Sequence, residues 1–138
     1  MINIIVFSEE KAWSKRLNNN EFFFKDVCNS FPKKYKFHNK KVSLSIMLSN
    51  NKNIRKLNKI FRNKNKSTDI LSFPFDKKKA ISKQTYLGDI IISYNYMNYP
   101  KLKNSKLFKE KVIKTFIHGF LHLLGHDHIK NYDYKKML

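Results

Sequence analysis

FIHGFLHLLGHDH, Phe116 to His128, holds four of the chain's five histidines and decides how the rest must fold. It closes a helical pattern that begins at Leu107 and runs to Leu124. Val112, Ile113, Phe116, Ile117, Phe120, Leu121, Leu123 and Leu124 make the second half of that helix apolar almost all round, which marks a core element. One stripe differs. Thr115, His118, Gly119 and His122 share it, so it is expected to face a cleft. His118 and His122 stand about 40° apart around the axis and roughly 6 Å along it, the spacing at which two imidazoles share one metal ion. An isolated pair like this is more often structural. Here Gly125 allows a left-handed helix end, and a chain turning there can bring His128 back toward the same ion. Three neutral nitrogen ligands leave the fourth position of a tetrahedral zinc open for water, as in catalytic sites. His126 falls in the turn and reads as a rim residue.

Outward from that helix, four runs read as strands. Ile2 to Phe7 (INIIVF) is rich in β-branched residues and predicts a strand buried on both faces. Val42 to Leu48 (VSLSIML) is the second. Thr68 to Phe75 (TDILSFPF) is the third, with Pro74 arguing for an edge or strand end, and Leu87 to Ser93 (LGDIIIS) the fourth. Ser8, Glu9 and Glu10 can open a short helix. Asn20 starts a second, carrying Phe23, Phe24, Val27, Cys28 and Phe31 up to Pro32. Ser49 and Asn50 cap a third, with Ile54, Leu57 and Phe61 on one stripe. Asn63 to Lys66 is a polar turn, Lys33 to Lys41 and Asp76 to Thr85 are basic loops, and His38 reads as an exposed bystander. A brief helix is expected over Tyr132 to Met137. The alternation predicts an α/β single domain over 1–138, with a small, partly parallel, mixed four-stranded sheet flanked by helices.

Composition narrows the function classes. At 138 residues one domain can bury roughly two-thirds of its unfolded surface. The lone Cys28 excludes an intrachain disulfide, suits a reducing compartment and reads as a small core residue. Ile2 to Phe7 is too short for a signal peptide's apolar region and lacks its basic start, and nothing approaches the about 20 apolar residues of a membrane span. A soluble, cytoplasmic protein is expected. The net charge of +19 rests on 29 cationic residues, only three of them arginines. With 16 asparagines as well, part of this basicity reads as a drift in the base composition of the encoding genome. A field of this sign still draws polyanions, nucleic acid first among them. No basic amphipathic helix stands out, which disfavours an acidic membrane surface.

Counting from His118, histidine recurs at +4, glycine at +7 and histidine at +10, the zincin-like ligand spacing of metzincin proteases. Gly119 occupies the position where those proteases carry their general-base glutamate. Peptide hydrolysis is therefore the least favoured reading.

HGFLHLLGHDH resembles another pattern more closely, the H-G-x-L-H-L-x-G-Y-D-H of the YbeY family of endoribonucleases. His118, Gly119, Leu121, His122, Leu123, Gly125, Asp127 and His128 match it. Leu57-Asn58, Phe61-Arg62, Lys66 and Thr68 to Pro74 resemble the family's upstream block, and Leu87-Gly88-Asp89-Ile90 its LGDI strand. The resemblance implies a small sheet flanked by helices and one Zn²⁺ held by His118, His122 and His128, with Arg62 in the same cleft. It implies a metal-dependent endoribonuclease specific for single strands, acting in ribosomal RNA processing at the small-subunit 3′ end and in ribosome quality control. Its partners would be ribosomal RNA and the ribosome or its small subunit. The residues themselves add that a guanidinium grips phosphate oxygens through two parallel bonds, which an ammonium cannot do. Arg62 would then stabilise transition-state charge. Asp127 is either an acceptor orienting a ligand's other ring nitrogen or a turn cap. The chain departs from the pattern in having His126 for tyrosine, in a short interval from Tyr94 to Asn104, and in ending soon after the motif. The reading from a different class is an RNA-binding ribosome-assembly factor with a structural zinc.

Overall fold

The computed structural model describes residues 1–76, 81–99 and 104–125 of the chain. Strand β1 (Ile2–Ser8) leads into helices α1 (Ala12–Leu17) and α2 (Asn20–Asn29). A 3-10 turn (Lys33–Tyr35) precedes β2 (Lys41–Ser49), and α3 (Asn51–Arg62) follows it. Then come β3 (Ile70–Pro74), β4 (Gln84–Ser93), the short α4 (Tyr94–Met97) and the long α5 (Ser105–Leu123). The strands form one mixed sheet in the order β1-β2-β4-β3. β1 and β4 each pair parallel with β2, and β3 runs antiparallel to β4 at the edge that Pro74 foretells.

The face carrying Ile4, Val42, Leu44, Ile46, Leu48, Leu87, Ile90 and Ile92 packs against Trp13, Phe24, Phe108, Val112, Phe116 and Phe120. Phe116 and Phe120 lie against Phe31, and Phe116 against Phe24, so α5 closes the core from above the sheet. Trp13, fully buried, donates from Nε1 to the Ser49 carbonyl at 2.9 Å and ties α1 to the end of β2. Cys28 is buried in the same cluster. Among the described residues α3 alone covers part of the opposite face, through a second, smaller cluster of Ile54, Leu71 and Ile91.

Several boundaries differ from the sequence expectation. β1 is not buried on both faces. It is an edge strand, and its alternate side chains Ile5 and Phe7 are each 53% exposed because α3 does not reach them. Ser8 caps nothing; its hydroxyl donates to the Glu10 carbonyl, and α1 begins at Ala12. α2 does begin at the expected Asn20, capped by Asn19, whose side chain accepts from the Phe22 amide at 3.0 Å, but it ends at Asn29, short of Phe31 and Pro32. β4 begins at Gln84 because its first residues pair with Lys41 to Ser43 of β2. α3 is also a basic amphipathic helix, although none stands out in the sequence. Its cations are spaced three and four apart and look like scattered lysines until the helix is drawn. The short helix over Tyr132 to Met137 lies outside the described residues.

Gly88 shows why the LGDI run contains glycine. The β2–β4 register slips there by one residue, a bulge, and Gly88 takes φ +138°. A Cβ at that position would stand 2.2 Å from the Phe73 carbonyl oxygen, which is backbone and cannot yield. The extra residue also puts Tyr86 and Asp89 on one face, where the Asp89 carboxylate accepts from both Tyr86 and Ser45. Burial, and then that bond to Asp89, hold the Tyr86 phenol above its ordinary value.

Candidate active site

Two walls make the cleft. α5 supplies His118, exposed, and His122, half-buried, from its last two turns. α3 supplies Arg62 from its final residue, with Phe61 beside it. Asp69, Ile70, Ser72, Phe73 and Pro74 of β3 and its approach form the floor, enclosing about 480 Å³. The structure thus brings Arg62, His118 and His122 to one cavity. Asn63 follows Arg62 in the left-handed conformation, φ 56°, and ends α3 there. Arg62 consequently sits at a helix C-terminus, where positive charge is favoured.

The imidazole rings are 4.8 Å apart between centroids, and their Nε2 atoms are 3.1 Å apart. Two nitrogens bound to one tetrahedral zinc at about 2.0–2.1 Å stand about 3.3 Å apart. The pair therefore fits a shared ion nearly as it stands. Among the described residues no third histidine, cysteine, aspartate or glutamate joins them into a metal set. Asp69 lines the cleft and, with Lys111, Lys114 and Thr115, the adjoining hollow below His118. Gly125 has φ +103°, the conformation the sequence asks of a turning residue, and its amide donates to the His122 carbonyl at 3.0 Å. His126, Asp127 and His128 lie outside the described residues. His38 is exposed in the loop before β2.

Gly119 acquires a structural reason. It is the point where α5 rests on β3. A Cβ there would come within 2.5 Å of Ile70 Cδ1 and 3.0 Å of Ser72 Oγ, and Ser72 Oγ already donates to the Gly119 carbonyl at 3.4 Å. A protease-type glutamate at this position would have to displace Ile70 and Ser72. Ser72 and Asp69 are the cleft residues that the sequence does not single out. Both lie in the TDILSFP block, Ser72 as a polar side chain inside the edge strand and Asp69 just before it.

Comparison with known proteins now decides the family. The family model for endoribonuclease YbeY matches residues 6–138. The chain belongs to the YbeY family. Among its relatives, the Pelagibacter ubique endoribonuclease YbeY is 62% identical over 138 residues, covering all of this chain and 90% of that protein. The YbeY of Sulfurihydrogenibium is 36% identical, covering 99% of this chain and 86% of its own length, and that of Ehrlichia canis is 34% identical over 93% and 80%. In fold, the chain resembles the solution structure of TM1509 from Thermotoga maritima, at a TM-score of 0.56 and 23% identity, covering 99% of this chain and 84% of that one. YbeY membership makes the chain an endoribonuclease of the RNA-processing class. The cleft between α3 and α5 is where this family member brings its paired histidines and its arginine together.

Proposed function

We propose that this endoribonuclease is zinc-dependent, cuts single-stranded RNA and works on ribosomal RNA at the 3′ end of the small-subunit molecule. The observation that carries the metal is the His118–His122 pair, whose 3.1 Å nitrogen separation suits one shared ion. His118 and His122 would hold it, with His128 as third ligand by the family resemblance. When bound, such an ion supplies a water of lowered pKa and polarises a phosphoryl oxygen. Arg62 grips the non-bridging phosphate oxygens and meets the charge that grows on them in the transition state. Ile70, Phe73 and Pro74 give that exchange an apolar floor, which strengthens it relative to open water. The reading includes a cytoplasmic site of action on the ribosome or its small subunit, which the single buried cysteine favours.

A purely structural zinc is disfavoured by the packing. α5 buries Phe108, Val112, Phe116, Ile117, Phe120, Leu121 and Leu123 in an extensive apolar core shared with the sheet, α1 and α2. The test is RNA cleavage before and after chelation, with metal content measured alongside. Chelation should abolish cleavage, zinc should restore it, and the melting temperature should move little. His122→Ala should lose the ion. Arg62→Ala should keep it and lose about 10²–10³ in rate. Cleavage that survives both the chelator and His122→Ala would remove the metal chemistry; a collapse of folding on chelation would instead favour a structural ion.

A further inference from the structure

α3 carries more than Arg62. Lys52, Arg55, Lys56, Lys59 and Arg62 fall within an arc of about 120° on its outer face and span about 15 Å. All five are exposed, and the helix contains no acidic residue. Neighbours of like charge at i+3 and i+4 repel along the whole stripe, and Lys52 sits in the first turn, where the helix dipole disfavours a cation. This is not an even dusting of lysine over a basic protein, because two of the chain's three arginines lie on the stripe, seven residues apart. Lys52, Arg55, Lys56 and Lys59 line a groove of about 480 Å³ against Asn65 and Ser67. The groove is built. Arg55 Nε donates to Asn65 Oδ1 at 2.9 Å, which fixes the guanidinium plane. The turn bearing Asn65 is itself pinned by Asn58, whose Nδ2 donates to the Lys66 carbonyl at 2.9 Å and whose carbonyl accepts from Lys64. At its far end the stripe runs into the catalytic cleft through Arg62.

We infer that the outer face of α3 is a second phosphate-binding track, along which the RNA strand held in the His118–His122 cleft continues. The inference rests on the proposed ribonuclease reading. A membrane is the poorer occupant, because an amphipathic helix binds lipid through its apolar face. Here the core of that face is turned to the sheet: Ile54 is buried against Leu71 and Ile91, and the Phe61 ring, although largely exposed, lies tilted against Phe73 at 5.4 Å. The outer arc and its groove present cations, and phosphodiester groups are what a cationic groove selects. The polyanion also relieves the repulsion that the free helix carries.

The test compares two charge-matched variants of the full chain. One is Lys52→Gln/Arg55→Gln/Lys56→Gln/Lys59→Gln; the other is Lys11→Gln/Lys15→Gln/Lys33→Gln/Lys34→Gln, at the start of α1, on α1 and on the 3-10 turn. Affinity is measured against salt for a single-stranded RNA of about a dozen nucleotides. The α3 variant should bind with a log–log salt slope shallower by about 0.7 for each phosphate it no longer neutralises, or about 1.4–2.8 for two to four. Its KM should rise on the order of tenfold at low salt while kcat at saturating RNA is unchanged. Its melting temperature should hold or rise, since glutamine keeps the helix and removes the repulsion. Equal losses in the two variants, or an unchanged slope in the α3 variant, would overturn the track. So would loss of binding to anionic vesicles with RNA binding intact. If the α3 variant loses RNA affinity while the zinc-loaded parent leaves RNA uncut, the track stands and the proposed chemistry fails.

Discussion

α5 and α3 face each other across one cleft, yet the sheet holds them very differently. α5 is embedded: eight of its residues are buried, and its rings interlock with Phe24 and Phe31 of the α2 region. α3 buries only Ile54 and Asn58, joins just Leu71 and Ile91 in a cluster of three buried residues and leaves Phe61 65% exposed. The paired histidines, which need fixed separation to share an ion, are on the embedded helix. The cations, which need only follow a flexible polyanion, are on the lightly anchored one. Rigidity is placed where coordination geometry demands it.

The contrast can be broken most violently from the α5 side. Phe116→Ala removes a fully buried ring in contact with Phe24, Phe31 and Phe120, and should cost about 3–5 kcal/mol in urea unfolding. Against a total of about 5–15 kcal/mol this threatens the whole fold. Ile54→Ala should cost about 2–4 kcal/mol and act more locally. Amide exchange should speed up along α3 while α5 amides keep their protection. Equal acceleration in both helices would show that the two clusters unfold as one.

A middle-sized effect lies at the seam. Gly119→Ala pushes a methyl toward Ile70 Cδ1 and Ser72 Oγ, where α5 meets β3. The Ile70 tip can swing away, but the Ser72 hydroxyl, hydrogen-bonded to the Gly119 carbonyl, yields less easily. An overpacking cost of about 1–3 kcal/mol is expected, together with a fall in zinc affinity as the turn bearing His118 and His122 lifts. Stability loss with unaltered zinc affinity would mean that the helix can shift without opening the pair.

These expectations also mark how far the sequence could be read. The run of apolar residues around Phe116 identified α5 as core, because no solvent-facing helix tolerates that pattern. Alternation in VSLSIML marked β2 as a strand, and the proline in TDILSFPF argued for the edge or strand-end position that β3 takes. INIIVF misled, since a run of β-branched residues records strand preference but not what stands opposite, and among the described residues no element covers Ile5 and Phe7. The histidine pair was legible from spacing alone. Arg62 was visible chiefly through family resemblance and only faintly through the scarcity of arginine, because its entry into the cleft depends on Asn63 ending α3 one residue later. The stripe on α3 was hidden for a different reason. In a chain with 26 lysines, charge spacing carries little signal until a helix axis is drawn through it.

The smallest effect tests whether the larger cluster is as dry as its packing implies. Burial pushes the Cys28 thiol up from its ordinary 9.0 to about 12. Below pH 9 folded and unfolded chains both keep that proton, and Cys28 gives stability no pH dependence. Above it the unfolded chain releases the proton while the folded chain retains it, so the folded state loses ground as pH climbs from 9 toward 12. By pH 10 the loss should be about 1.4 kcal/mol, read as the difference in slope between the parent and Cys28→Ala so that other titrating groups cancel. The same thiol then reports on the two helices separately. If the clusters are independent, loosening α3 with Ile54→Ala leaves Cys28 as slow to alkylate as in the parent, whereas Phe116→Ala exposes it. Rapid labelling in Ile54→Ala would mean that α3, despite its thin anchorage, helps keep water out from under α5.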